Sequence, residues 1–170
     1  QMPKYDDAQV EKLQAQIGDR PVWAAVSTHD GEEVIAAQAH RALKKRYPNL
    51  LPIIVPRHPD RAAALAERFT KEKLGVVRRS TGEKIAPTTD IFLGDTIGEM
   101  GTYLKLSEIA FVGRSLTAEG GQNPLEPAML GVAVLSGQNN QNFREAYQKL
   151  IDRGAAKLVP DGQSLAKAVN

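Results

Sequence analysis

The chain has no cysteine among its 170 residues. That excludes disulfides, thiolate nucleophiles and zinc–thiolate centres, and it is compatible with a cytosolic setting. Three histidines, His29, His40 and His58, are too few and too scattered to match a metal-ligand spacing. No apolar run approaches the ~18 residues that a membrane-spanning helix needs. There is no P-loop sequence, and no G-x-G-x-x-G follows the first apolar strand. No Ser or Thr stands in a recognisable nucleophile elbow with a partner His and Asp, so no catalytic set is visible. No basic amphipathic helix carries aromatic anchors, which argues against a membrane-inserting role for this segment. The amino end, "QMPKYDDAQV", has no signal-peptide pattern. It opens on Gln1 with Met2 next, and "LAKAVN" stops within a helical pattern, so both ends are expected to be cuts from something longer.

Hydrophobic content of 42% and charged content of 25% fit one soluble globular domain with a real core. A net charge of +2 is too balanced to argue for nucleic acid as a partner. Apolar bursts alternate with amphipathic stretches. "PVWAAVS" (Pro21 to Ser27) reads as a buried strand, and "GEEVIAAQAHRALKKRYP" as a helix with Val34, Ile35, Ala39, Ala42 and Leu43 on its apolar side. Lys44, Lys45 and Arg46 suit the carboxyl end of that helix, and Pro48 stops it. The strand "LLPIIVP" ends at Pro56, and a helix opens at Pro59. "GVVRRS" and "DIFLGD" read as short strands, "GEMGTYLKLS" as a helix and "IAFVG" (Ile109 to Gly113) as a strand. A helix from Pro124, the strand "VAVLSG", the helix "NFREAYQKLIDRG", the strand "AKLVP" and an opening helix complete the series. This order predicts a single α/β domain over residues 1–170, with a Rossmann-like parallel sheet and helices on both faces. Ligands of such sheets sit outside the carboxyl ends of the strands.

The loops after the strands therefore hold the candidate site. In "PRHP", Arg57 offers a planar fork of donors suited to a phosphate, the alternative being a surface salt bridge. His58 is either an anion partner or an ordinary loop histidine. In "GDTIGEM", Gly98 and Glu99 open a helix whose free N–H groups suit an anion, and the backbone from Ile97 to Glu99 suits a base edge. The plainer alternative is a turn capped by Asp95. In "GRSLTAEGGQNPLEP", Gly113 permits close approach of backbone to a ligand. Asn123 sits at the N-cap, Pro124 at the first helical position and Glu126 at the third, where it either closes a capping box or accepts from a ribose diol. In "STHDGEE", Thr28 or Asp30 is expected to cap the next helix, and Glu32 and Glu33 to repel anions. In "SGQNNQNF", Asn142 is a candidate cap and Gln138 a polar contact. From the residues alone, the reading is a nucleotide-binding α/β domain whose chemistry lies elsewhere.

The stretches "STHDGEE", "PRHPDR", "GDTIGEM", "FVGRSL", "GGQNPLEPA" and "NF", in this order and near this spacing, resemble the carboxyl-terminal half of the bacterial 3-deoxy-D-manno-octulosonic acid (Kdo) transferases. The resemblance runs from about Pro21 to the end. It implies a GT-B glycosyltransferase with two Rossmann-like domains facing a cleft, of which this chain is the donor-binding one. It implies CMP-Kdo as donor, CMP as product, and a lipid A precursor (lipid IVA) as acceptor, met by the amino-terminal domain at the cytoplasmic face of the inner membrane. It implies no metal and no cofactor. It places CMP against Pro56 and Arg57, against Ile97, Gly98 and Glu99, and against Asn123, Pro124, Leu125 and Glu126. Glu126 would be the ribose partner, and Arg57 would steady the departing phosphate. The catalytic base belongs to the amino-terminal domain, so this chain alone is expected not to transfer sugar. The family more often has Gly-Gly at Gly113-Arg114, often His at Gln122, and a glycine-proline loop at "LSGQNNQNF". The carry-over therefore rests on Arg57, Glu99 and Glu126. Two alternatives stand beside it: the donor domain of another GT-B enzyme, separated by preference for cytidine over uridine, and a non-catalytic nucleotide-binding or protein-contact module.

Overall fold

The computed structural model of the chain describes residues 5–113, 133–136 and 156–158. They contain seven strands: β1 (Val22–Thr28), β2 (Leu51–Pro56), β3 (Val76–Arg78), β4 (Ile91–Leu93), β5 (Ile109–Val112), β6 (Ala133–Ser136) and β7 (Ala156–Leu158). All pair in parallel in one sheet, ordered β3-β4-β2-β1-β5-β6-β7. Four α-helices accompany them: α1 (Asp7–Ile17), α2 (Glu32–Lys44), α3 (Ala62–Lys71) and α4 (Met100–Lys105). The helices expected from Pro124, over "NFREAYQKLIDRG" and at the carboxyl end lie outside the described residues.

The strands are continuous apolar runs because each face of the sheet is covered. On β1, Val22, Ala24 and Val26 pack with Val10, Leu13 and Ile17 of α1 and with Tyr103 and Leu104 of α4. Trp23 and Ala25 face the other way, against Ala36, Ala37 and Leu43 of α2 and Leu65 and Phe69 of α3. Each large side chain buried this way contributes about 1.5–3 kcal/mol. The sheet is thus doubly wound. Its order turns at β1, with β2 on one side and β5 on the other, and the crevice at the carboxyl ends opens there.

Helix α1 is absent from the sequence-based expectation, although its signals are local. Asp6 caps it by accepting from the Ala8 N–H at 2.9 Å. Val10, Leu13 and Ile17 fall on one side and are buried. The apolar side of α2 also differs from expectation. Ala36, Ala37, Ala39, His40 and Leu43 are buried, whereas Ala42 is exposed and Val34 and Ile35 are half-buried. The side is rotated because Glu33 is buried too, neutralised by a fork from Arg61: Nη1 donates to Oε2 and Nη2 to Oε1, each at 2.9 Å. Glu33 therefore does not face outward to repel anions. Neither Thr28 nor Asp30 caps α2. Gly31 occupies the N-cap without a side-chain bond, and Glu32 Oε1 accepts from the His29 N–H at 3.0 Å.

Buried His40 leaves both ring nitrogens without a hydrogen bond. Burial is the main cause that lowers its pKa to about 4; Lys44, Arg20 and Arg41 push the same way, and Asp90 opposes them. The unfolded chain takes up this proton near pH 6.5, the folded chain only near 4. The stability contribution is therefore complete above pH 6.5 and is lost as pH falls toward 4, by on the order of 2–3 kcal/mol. Urea unfolding between pH 7 and 4 should show this decline, and His40→Leu should flatten it.

Candidate nucleotide site

Three strand ends converge on one cleft of about 160 Å³, lined by Ser27 near the end of β1, Val55 to Arg57 and Pro59 at β2, and Thr96, Ile97, Gly98 and Met100 after β4. Two of the three loops singled out in the sequence thus share one space, through Pro56 and Arg57 and through Ile97 and Gly98. The geometry starts at β1. Its pairing shifts register between Val26 and Thr28, and Ser27 in the bulge adopts φ 53°. The bulge is held on both sides: the Gly113 N–H donates to Val26 O at 2.7 Å, and the Arg57 N–H to Thr28 O at 2.9 Å. The backbone of Arg57 is therefore fixed while its side chain is exposed.

Gly113 corrects one expectation. A Cβ there would lie 2.3 Å from Ser27 O and 2.7 Å from Thr28 Cα. The close approach that requires glycine is that of the β1 backbone, not of a ligand. The chain leaves β5 at this glycine, beside the cleft. Asn123, Pro124, Leu125 and Glu126, together with Arg114 and Gln122, lie outside the described residues.

Arg57 is the one charged side chain among the described residues lining the cleft, and it has no hydrogen bond or ion pair with another described side chain. The two acids of the loop after β4, Asp95 and Glu99, are both engaged. Asp95 is buried and accepts from Arg78 Nε at 2.9 Å and from the Ser80 N–H at 2.8 Å. Burial acts to raise its pKa, but the bonds from Ser80 and Arg78 outweigh it and hold the carboxyl below its usual range. Asp95 is therefore not a helix cap. Glu99 accepts from Arg79 Nε at 3.2 Å and Nη2 at 3.1 Å, and from Thr96 Oγ1 at 2.7 Å. Arg79 is the main cause that keeps its carboxyl below the usual range. Helix α4 has only six residues, so the positive character of the cleft comes from Arg57 rather than from a helix dipole.

His29 and His58 meet edge-on at the margin, ring centroids 6.2 Å apart, with His29 Nδ1 3.2 Å from Ser27 O. Among the described residues no group of three or more His, Asp or Glu side chains could hold a metal, and no helix is long and apolar enough to cross a membrane. Sequence reasoning missed Arg61, Arg78 and Arg79. The one available signal was that "RRS" after β3 and "DTIGE" after β4 carry complementary charges on neighbouring strands.

A pinned turn beside an unneutralised arginine, at the crevice of a doubly wound sheet, can receive a phosphorylated ligand whose other end meets backbone. No protein-family model matches the chain. It is 43% identical over 152 residues to a 3-deoxy-D-manno-octulosonic acid transferase of Haemophilus influenzae, a match covering 89% of this chain and 36% of that protein. It is 38% identical over 152 residues to the transferase of the same name from Bordetella pertussis, covering 85% of this chain and 35% of that protein. The chain thus spans about a third of the length of the curated relatives it matches. Among solved structures it matches one described as the C-terminal CMP-Kdo binding domain of WaaA from Acinetobacter baumannii, with TM-score 0.88, 33% identity, and coverage of 95% of this chain and 85% of that one. With a solved domain matched over most of both lengths at 33% identity, and transferases of one name matched over most of this chain, the chain belongs to the 3-deoxy-D-manno-octulosonic acid transferase family.

Proposed function

We propose that the chain is the donor-binding domain of a Kdo transferase, one Rossmann-like domain over residues 1–170 that holds CMP-Kdo. The observation that carries this is the cleft in which exposed Arg57 is the one charge among the described lining residues, beside Ile97 and Gly98. The description of the Acinetobacter baumannii relative as a CMP-Kdo binding domain supports it. In this reading Arg57 meets the CMP phosphate and stabilises the charge that develops on it as the sugar departs. Pro56 stiffens that turn, and the backbone of Ile97, Gly98 and Glu99 meets the cytosine edge. Asn123, Pro124, Leu125 and Glu126 complete the site, with Glu126 on the ribose. No metal is required.

The whole enzyme would be a GT-B glycosyltransferase that transfers Kdo to a lipid A precursor at the cytoplasmic face of the inner membrane. Its acceptor surface and catalytic base would lie on the amino-terminal domain. The engagement of Asp95 and Glu99 by arginines supports this division, because neither carboxylate is available as a base. The chain by itself should then bind donor without transferring sugar.

Calorimetric titration tests the donor site. Arg57→Ala should weaken CMP binding about 30-fold, the loss of about 2 kcal/mol expected for a charge-assisted phosphate contact. Unchanged affinity would remove Arg57 from the site. Equal affinity for UMP would favour a different nucleotide-sugar donor.

A further inference from the structure

We infer that Arg79 is a positioning residue for the cleft: it holds the half-buried Glu99 carboxylate in an ion pair, so that the turn at Ile97 and Gly98 presents backbone to the ligand. This deepens the donor-site reading and rests on it. The turn is tied at both ends to one short segment, Arg78 to Ser80, at the end of β3. At its start, Asp95 is bound by Arg78 and Ser80. At its end, Glu99 is forked by Arg79, and its Oε1 also accepts from Thr96. The Thr96 hydroxyl is hydrogen-bonded in turn to the phenol of Tyr103, which is fully buried. Between these anchors lie Ile97, 89% exposed, and Gly98, at φ 85°, both of which line the cleft.

An exposed apolar side chain on a turn of this kind is ordinarily mobile; here both flanks are fixed, so the intervening backbone is pre-organised. The charge argument points the same way. Glu99 borders a cleft whose one lining charge among the described residues is Arg57, and a free carboxylate there would oppose binding of an anion. Arg79 removes that opposition. The same guanidinium donates through Nη2 to Gln9 Oε1 of α1 at 2.8 Å, which offers a way to separate its two contacts.

The test uses Arg79→Gln, Glu99→Gln, the double variant and Gln9→Ala in this chain, with two readouts. Without ligand, backbone order parameters at Ile97 and Gly98 should fall in Arg79→Gln from about 0.85 to below about 0.6, while β1 and β2 stay rigid. With CMP, Arg79→Gln should raise Kd about tenfold, and the double variant should lose no more than Arg79→Gln alone, because both changes break one device. Gln9→Ala should leave the turn and the affinity within twofold. Unchanged order and affinity in Arg79→Gln would overturn the proposal. So would losses that multiply in the double variant, since Glu99 would then touch the ligand itself. If the unaltered chain does not bind CMP, the donor-site reading fails, and the order parameters alone decide whether Arg79 sets the turn.

Discussion

Gly113→Ala should destabilise the domain by about 3 kcal/mol, the upper range for forcing an atom into filled space. The atoms in the way are backbone, Ser27 O at 2.3 Å, Ser27 C at 2.7 Å and Thr28 Cα at 2.7 Å, so no side chain can rotate to make room. Nor can the bulge retreat freely, since its carbonyls are bound by Gly113 and Arg57. The strand ends must separate, and that shift reaches the cleft through Arg57. For a domain of this size the melting temperature should drop by about 6–12 °C. Gly82→Ala is the control: its φ is 77°, but nothing lies within 4 Å of a Cβ there. It should cost only about 1 kcal/mol in backbone strain. Equal losses in the two variants would show that β1 and β5 are not in contact as described.

Arg61→Ala should cost about 3–5 kcal/mol, because it strands a buried carboxylate. The two partners differ sharply in exposure: the Glu33 side chain is 0% exposed and that of Arg61 28%. An exposed pair would be worth 1 kcal/mol or less, so the size of the loss discriminates. Adding Glu33→Leu to Arg61→Ala should recover most of the stability, since the buried charge is then gone. Chemical denaturation of the three variants measures this. A loss under 1 kcal/mol for Arg61→Ala would mean that Glu33 reaches water.

Much of the sheet is legible in the chain because strands covered on both faces must be apolar throughout; "PVWAAVS" and "IAFVG" can hardly be read otherwise. The position of the cleft was also legible, since a doubly wound sheet leaves few places for a ligand, and Pro56-Arg57 and Ile97-Gly98 do meet. What was not legible depends on partners distant in sequence. Nothing near Glu33 announces that Arg61 will neutralise it, so apolar periodicity puts Ala42 on the buried side with Ala39 and Leu43, and leaves Glu33 outside. Nothing near Gly113 announces the bulge at Ser27, so the sequence alone points its missing side chain toward a ligand. Glu99 offered itself as a contact, and only the fold brings Arg79 onto it. Helix α1 is a different case: its signals, Asp6 as cap and the series Val10, Leu13 and Ile17, are local in the sequence.

The central claim is that this chain alone carries a cytidine-nucleotide site on these strand ends. The most direct measurement is an amide NMR titration with CMP, repeated with UMP and AMP. Selective shifts from CMP at Arg57, Ile97 and Gly98, and at Asn123 to Glu126, with β3 and the amino ends of the strands unmoved, are the predicted result. No shift at millimolar CMP in a folded chain, or equal shifts from all three nucleotides, would contradict it.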